Sequence, residues 1–239
     1  MKSRYKLIIK GIALLGIVGL LTSCGGGGSG SGGGGETLNG SWGGTIEDPA
    51  GFLGVITLTI SGSNINGTTP AGPFSGTITL NQGRIWDFLL SDGTEGGFMH
   101  DPSFTHAVFL DEFFNFGVIQ KGATGGTSNY TGPEVVGSWA GDFVTVDSFF
   151  NLATTGTASA VVLNDTTFSG SSSAPDTFTG AIPTFSSTFG RWTGNISSAT
   201  SGAGSIAVFL TNDMNFAGSW ACFGGFALDD CAFNMWNRQ

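Results

Sequence analysis

The chain has 239 residues, with 8 Lys+Arg against 17 Asp+Glu and a formal charge of −9. Four of the cations (Lys2, Arg4, Lys6 and Lys10) precede residue 24, so the region beyond keeps Arg84, Lys121, Arg191 and Arg238 against all 17 acids, a formal charge of −13. That balance disfavours binding to nucleic acid or to anionic lipid head groups, since both depend on clustered Lys and Arg. Hydrophobic residues make up 40% of the chain, with 21 Phe, which calls for a packed core rather than disorder.

The basic start is followed by an apolar run from Gly11 to Leu21. A charged opening, a short apolar stretch and small residues at its end mark an export signal over 1–23. The run is about half of the roughly 20 apolar residues that a spanning helix needs. Leu21-Thr22-Ser23-Cys24 resembles the lipobox of bacterial lipoproteins. The resemblance implies a diacylglyceryl group on the Cys24 sulfur, cleavage before Cys24, and acylation of the new amino group with a fatty acid such as palmitate. Several acyl chains give stable anchoring, where one alone is marginal. By resemblance to sorted lipoproteins of two-membrane bacteria, glycine rather than aspartate at position 25 favours the outer membrane, facing the periplasm or the cell surface. Gly25 to Gly35 reads GGGGSGSGGGG, so residues 24–37 form a flexible tether with a reach of roughly 20 Å. A phosphate-cradling loop would need a strand before it and Gly-Lys-Ser/Thr after it, and this stretch has neither.

The body reads as β. Val55 to Ile60 alternates, with Ile56, Leu58 and Ile60 on one face, and Thr77 to Leu80 alternates again after a turn. Further short runs lie at 85–90, 106–110, 116–120, 158–163, 178–182, 189–196 and 205–210, separated by Gly- and Ser-rich turns. The body also repeats. Gly40-Ser41-Trp42-Gly43-Gly44 matches Gly137-Ser138-Trp139-Ala140-Gly141; Phe74-Ser75-Gly76 matches Phe178-Thr179-Gly180; and Gly83-Arg84 matches Gly190-Arg191. Ala107-Val108-Phe109-Leu110 and Asn115-Phe116 match the same residue types 100 positions later. The expected fold is all-β, with two tandem antiparallel barrel- or sandwich-like repeats over 38–133 and 134–239 joined at Gly122 to Pro133. One pseudo-symmetric barrel is the alternative. The glycine-x-tryptophan of each opening strand resembles the start of lipocalin and avidin-type barrels, which implies that Trp42 and Trp139 each close a barrel end. A ligand contact is the secondary role for either.

Cys222 and Cys231 are an even pair in an exported chain, and a disulfide is expected. A metal pair is disfavoured, since no His lies nearby. The only histidines are His100 and His106, which with Asp101 could make a small metal site or an oriented base. Metal sites usually take three or four ligands. The offset-100 match sets His106 against Ile206, so a tolerated substitution at a strand start is the preferred reading. Asp111-Glu112, Glu47-Asp48 and Asp229-Asp230 read as solvated turns. No nucleophile elbow or metalloprotease helix motif occurs, and no cofactor is expected.

The sequence therefore points to a membrane-tethered, non-enzymatic binding or surface-interaction module. Its contacts would lie in a Phe- and Trp-lined cavity or on an external patch around Phe113, Phe114 and Phe116. A structural envelope or adhesion component is the alternative reading. A hydrolase or metalloenzyme would require His100 and His106 to converge with a carboxylate in a cleft.

Overall fold

The computed structural model describes residues 37–124, 130–146, 152–164, 166–173, 176–223 and 231–239. The chain divides into two units, Met1–Gly35 and Glu36–Gln239. The segment read as an export signal, Cys24 and the glycine run Gly25 to Gly35 fall in the first and lie outside the described residues, as does Asp229-Asp230.

Eight strands make a first antiparallel meander: β1 (Gly40–Glu47), β2 (Leu53–Ser61), β3 (Asn64–Thr69), β4 (Gly72–Gln82), β5 (Ile85–Leu90), β6 (Glu95–His100), β7 (His106–Asp111) and β8 (Phe116–Lys121). β8 returns to β1, with Trp42 opposite Lys121 and Glu47 opposite Phe116. A second meander follows: β9 (Gly137–Val146), β10 (Leu152–Val162), β11 (Thr167–Ser172), β12 (Asp176–Ser186), β13 (Arg191–Ser198), β14 (Gly202–Leu210), β15 (Phe216–Phe223) and β16 (Cys231–Arg238). It closes with Arg238 opposite Trp139. The fold is thus two closed barrels in tandem, and the single-barrel alternative is overturned. Closure within each half leaves neither half with an unpaired edge to share.

The repeated opening motif has a physical cause in this closure. A Cβ on Gly44 would lie 1.8 Å from the Val118 carbonyl oxygen, and one on Gly141 would lie 1.6 Å from that of Met235. Only glycine lets the closing strand approach so near. The tryptophan two residues earlier in Gly44's strand, and its counterpart before Gly141, are buried, Trp42 1% and Trp139 4% exposed. The Trp42 indole N–H donates to the Leu38 carbonyl at 2.8 Å, and that of Trp139 to the Val135 carbonyl at 2.9 Å. A last-strand cation lies over each ring: Lys121 over Trp42 at 5.8 Å and Arg238 over Trp139 at 4.6 Å.

Equal position in the two meanders pairs β1 with β9 and β7 with β15. The Gly-Ser-Trp, Phe74/Phe178 and Gly-Arg matches fall on equivalent strands and turns. The offset-100 matches do not: they set β7 against β14 and β8 against β15, one strand out of step. The turn after β6 answers instead to the turn after β14. Asp101 N–H bonds the His106 carbonyl at 2.9 Å as Thr211 N–H bonds that of Phe216 at 3.0 Å. The fourth residue of each turn is left-handed, with φ of 55° at Phe104 and 61° at Met214. His106 therefore corresponds to Phe216, not to Ile206, and the reading of it as a tolerated strand-start substitution loses its basis.

Three apolar clusters result. Ile56, Leu58 and Ile60 fill the first barrel as their alternation predicts, and Trp139, Trp192 and Trp236 pack in the second. The third lies between the barrels, where Val108, Phe116 and Val118 meet Phe209, Phe216 and Phe233. This is why β7 is buried on both faces: Ala107 and Phe109 point into the first barrel, Val108 and Leu110 toward the second. Matched arginines from the repeat cross the joint reciprocally. Arg84 pairs with Asp142 of β9 at 2.6 Å, and Arg191 pairs with Glu47 of β1. Cys222 and Cys231 form the expected disulfide at the turn-proximal ends of β15 and β16.

Candidate functional site

The turns after β1, β3, β5 and β7 gather at one end of the first barrel, because alternate connections of an up-and-down meander share an end. They surround a recess of about 530 Å³ whose lining includes Ile46, Phe74 and Leu90, a volume within the range of ligand sites. Phe52 and Phe113 stand on its rim, 65% and 59% exposed. Three aspartates build these turns. Asp48 Oδ1 accepts from the backbone N–H of Ala50 and Phe52 at 2.9 and 2.8 Å, Asp92 Oδ1 from that of Thr94 at 2.9 Å, and Asp111 Oδ1 from those of Phe113 and Asn115 at 2.9 Å. Asp48 and Asp111 thus fix the two rim phenylalanines. The Thr94 bonds hold the Asp92 carboxyl below its ordinary value. Burial pushes the Asp111 carboxyl up, against the bonds from Asn115, so Asp111 is a packed turn residue rather than a solvated one.

Beneath the recess the first barrel holds a void of about 70 Å³, and the second holds one of about 40 Å³. Both are far below the size of a ligand site. The expected Phe- and Trp-lined interior cavity is therefore corrected: Ile, Phe and Trp side chains fill both interiors. Trp42 is 1% exposed within the first-barrel core, while Trp139 borders the smaller void. The external aromatic patch also comes apart. Phe113 is on the rim, while Phe114 and Phe116 line a separate cleft of about 460 Å³ between the barrels, Phe116 being 2% exposed in the core of the joint.

His100, Asp101 and His106 sit at the opposite end of the first barrel. The His100 Nδ1 bonds the Asp101 carbonyl oxygen at 2.7 Å, and its ring stacks on Phe104 at 4.1 Å. Burial lowers its pKa, keeping it neutral. His106 Nδ1 faces Asp101 Oδ2 at 3.2 Å, while its Nε2 faces Asp213 Oδ2 of the second barrel at 2.9 Å. Both nitrogens of His106 are thus occupied by carboxylates, leaving none to take a proton from a nucleophile. Neither histidine lines the recess or the cleft. Among the described residues no group of three or more His, Cys, Asp or Glu is placed to hold a metal ion. The hydrolase and metal readings find no supporting geometry here.

Asp213, Phe52 and the Glu47–Arg191 pair were not singled out in the sequence. Asp213 lies 107 positions from His106, beyond the reach of any local pattern. The arginines did leave a signal, the repeated Gly-Arg, but no pattern named their partners.

No family model matches the chain, and no curated protein matches it. Solved structures give remote likenesses. A protein of unknown function from the DUF3598 family of Nostoc punctiforme is 12% identical over 84% of this chain and 96% of its own, with a TM-score of 0.42. Two mutants of the vaccine antigen transferrin binding protein B from Haemophilus parasuis are 7% identical, with TM-scores of 0.35 and 0.36. They match 77% and 78% of this chain, which spans 59% and 60% of theirs. At these identities and TM-scores the likenesses carry no function over to this chain.

Proposed function

We propose that this protein is a membrane-tethered, non-enzymatic binding module. On this reading Cys24 holds it to the outer membrane, and the recess at the four-turn end of the first barrel takes the partner. The observation that carries the reading is that recess, with Phe52 and Phe113 exposed on its rim and no Lys, Arg or His among its lining residues. Every cation of the barrel unit is committed elsewhere. Arg84 and Arg191 bridge the barrels, Lys121 binds the Thr37 carbonyl, and Arg238 binds the carbonyls of Val136, Glu134 and Met214. The fitting partner therefore joins an apolar group to a cation, as in a cationic amphiphile or a basic, aromatic protein loop.

The test is isothermal titration of the leaderless chain carrying Cys24→Ser, using decyltrimethylammonium and decyl sulfate below micellar concentration. The expected result is at least about tenfold tighter binding of the cation. A further loss of about tenfold is expected in Phe52→Ala and Phe113→Ala, since burying one Phe is worth about 1.5–3 kcal/mol. Equal binding of the two probes, or indifference to both substitutions, refutes the reading. Palmitate labelling that persists in Cys24→Ala refutes the anchor. Protease shaving of intact cells separates surface display from a periplasmic face. The small interior voids favour a second reading, a purely structural envelope component, which predicts that neither probe binds.

A further inference from the structure

The joint between the barrels carries an ionisable group. The His106 ring lies flat on Phe216, with centroids 4.9 Å apart and planes inclined by 7°. These two residues occupy equivalent positions in the two meanders, so the stack marks the local pseudo-symmetry of the joint. In the second barrel the position is phenyl and apolar; in the first it is imidazole. Its two nitrogens point at two carboxylates, one from each barrel: Asp101 Oδ2 at 3.2 Å and Asp213 Oδ2 at 2.9 Å. A carboxylate only accepts hydrogen bonds, so both nitrogens must donate for both contacts to hold. Only the imidazolium does that.

We propose that a single proton on His106 clamps the two barrels together, so that the joint is tight in mild acid and loosens as the pH rises.

Each carboxylate is fixed from its own side. Asp101, 3% exposed, also accepts from the backbone N–H of Thr105 and His106 and from the Ser103 hydroxyl. Asp213 accepts from the Thr211 hydroxyl and the Asn215 N–H, while its own N–H donates to the Gln120 side chain on β8. The cations nearest in sequence are spent elsewhere, Arg84 on Asp142 and the His100 carbonyl, and Lys121 on the Thr37 carbonyl. Thr105 Oγ1 lies 2.9 Å from His106 Nδ1 and 3.0 Å from Asp101 Oδ2. When the imidazole loses its proton, Nδ1 becomes an acceptor and the Thr105 hydroxyl turns from Asp101 to it. The Asp101–His106 bond is then lost, and the Asp213 contact survives only as a neutral-donor bond, about half as strong.

The electrostatics agree in sign. Burial alone would lower the His106 pKa, but Asp101 and Asp213 outweigh it and raise it. A raised imidazole contributes stability that is complete below its unfolded value of 6.5 and lost as pH rises through the folded value. Asp101 and Asp213 are both held below 3.8 by their hydrogen bonds, despite burial, so their contribution is lost only in acid. His100, shifted downward, acts in the opposite sense to His106. The clamp is thus strongest between about pH 4 and 6.5.

Imidazole NMR on the purified protein tests this directly, because the chain has only two histidines and His100→Gln assigns the other. The His106 resonance is expected to titrate above 6.5, and Asp213→Asn to move its midpoint down. The wild-type Tm should fall as pH rises through that midpoint. Asp213→Asn should lower Tm by about 3–6 °C in mild acid and flatten the pH dependence. His106→Phe, which copies the equivalent Phe216 and keeps the stack, should fold with a Tm that no longer falls as pH rises through the wild-type His106 midpoint. A His106 midpoint at or below 6.5, or one unmoved by Asp213→Asn, overturns the proposal. So does an undiminished pH dependence of Tm in His106→Phe.

Discussion

Gly218 is where the packing of the two barrels can be tested most sharply. It lies in β15 facing the first barrel. A Cβ placed there would come 2.4 Å from Val118 Cγ1, 2.7 Å from Val108 Cγ1 and 3.2 Å from Phe116 Cζ. Two of these three obstacles are β-branched side chains restricted at χ1, so they swing aside only at a cost. Gly218→Ala must push the barrels apart or force valines off-rotamer. Overpacking of this kind costs about 1–3 kcal/mol, and the two contacts under 3 Å place the expected loss at the upper end. In a domain of this size that is a fall in Tm of about 5–10 °C. The clash can be removed from the opposite side, since Val118→Ala deletes the nearest obstructing atom. Urea unfolding of wild type, both single variants and the double variant then measures their coupling. The double variant is expected to be more stable than the two single losses predict by at least about 1 kcal/mol. Gly44→Ala is the control. There the obstacle is the main-chain oxygen of Val118 at 1.8 Å, which no side-chain change removes, so Val118→Ala should give no rescue. A harmless Gly218→Ala, or strict additivity with Val118→Ala, refutes this account of the joint.

Two further outcomes follow from local geometry. Reduction of the Cys222–Cys231 disulfide, which spans a sequence separation of 9, should cost about 2–3 kcal/mol in the chain-entropy picture; scanning calorimetry with and without reductant measures it, and an unchanged Tm would show that the second barrel closes without it. Trp42→Phe removes the indole hydrogen bond to the Leu38 carbonyl while keeping most of the apolar bulk. The expected loss of about 0.5–2 kcal/mol, read by urea unfolding, should be matched by Trp139→Phe if the two caps are equivalent.

Much of the architecture was legible in the residues because it is written locally. The alternation of Ile56, Leu58 and Ile60 names the face that fills a barrel, and that face is buried. The cysteines near the end of the chain pair as their even number and spacing suggested. Strands rich in glycine escaped notice. β6 opens Glu95-Gly96-Gly97, where the missing side chains that erase the alternation also make room: a Cβ on Gly96 would meet Phe88 Cζ at 2.3 Å and the Leu110 carbonyl oxygen at 2.5 Å. The recess was half legible. Phe113 was a candidate, but its neighbours Phe114 and Phe116 turn to the cleft and the joint, because Phe114 takes a left-handed φ of 65° that redirects the chain between them.

Residue pattern by itself determined strand periodicity and the existence of a repeat, since propensity, turn chemistry and face alternation act over a few neighbouring positions. Tertiary structure decided which strands correspond, and with that the meaning of His106. The four shared letters of Ala107–Leu110 and Ala207–Leu210 lie on non-equivalent strands, β7 opening the last hairpin of its barrel and β14 preceding the last hairpin of the other, because pairing order and closure set equivalence rather than identity. The same docking decided which carboxylates face the imidazole, which arginines cross the joint, and why β7 is buried on both faces. Those facts depend on surfaces of two closed barrels meeting, and residues 58 to 144 positions apart share no local signal until both barrels exist.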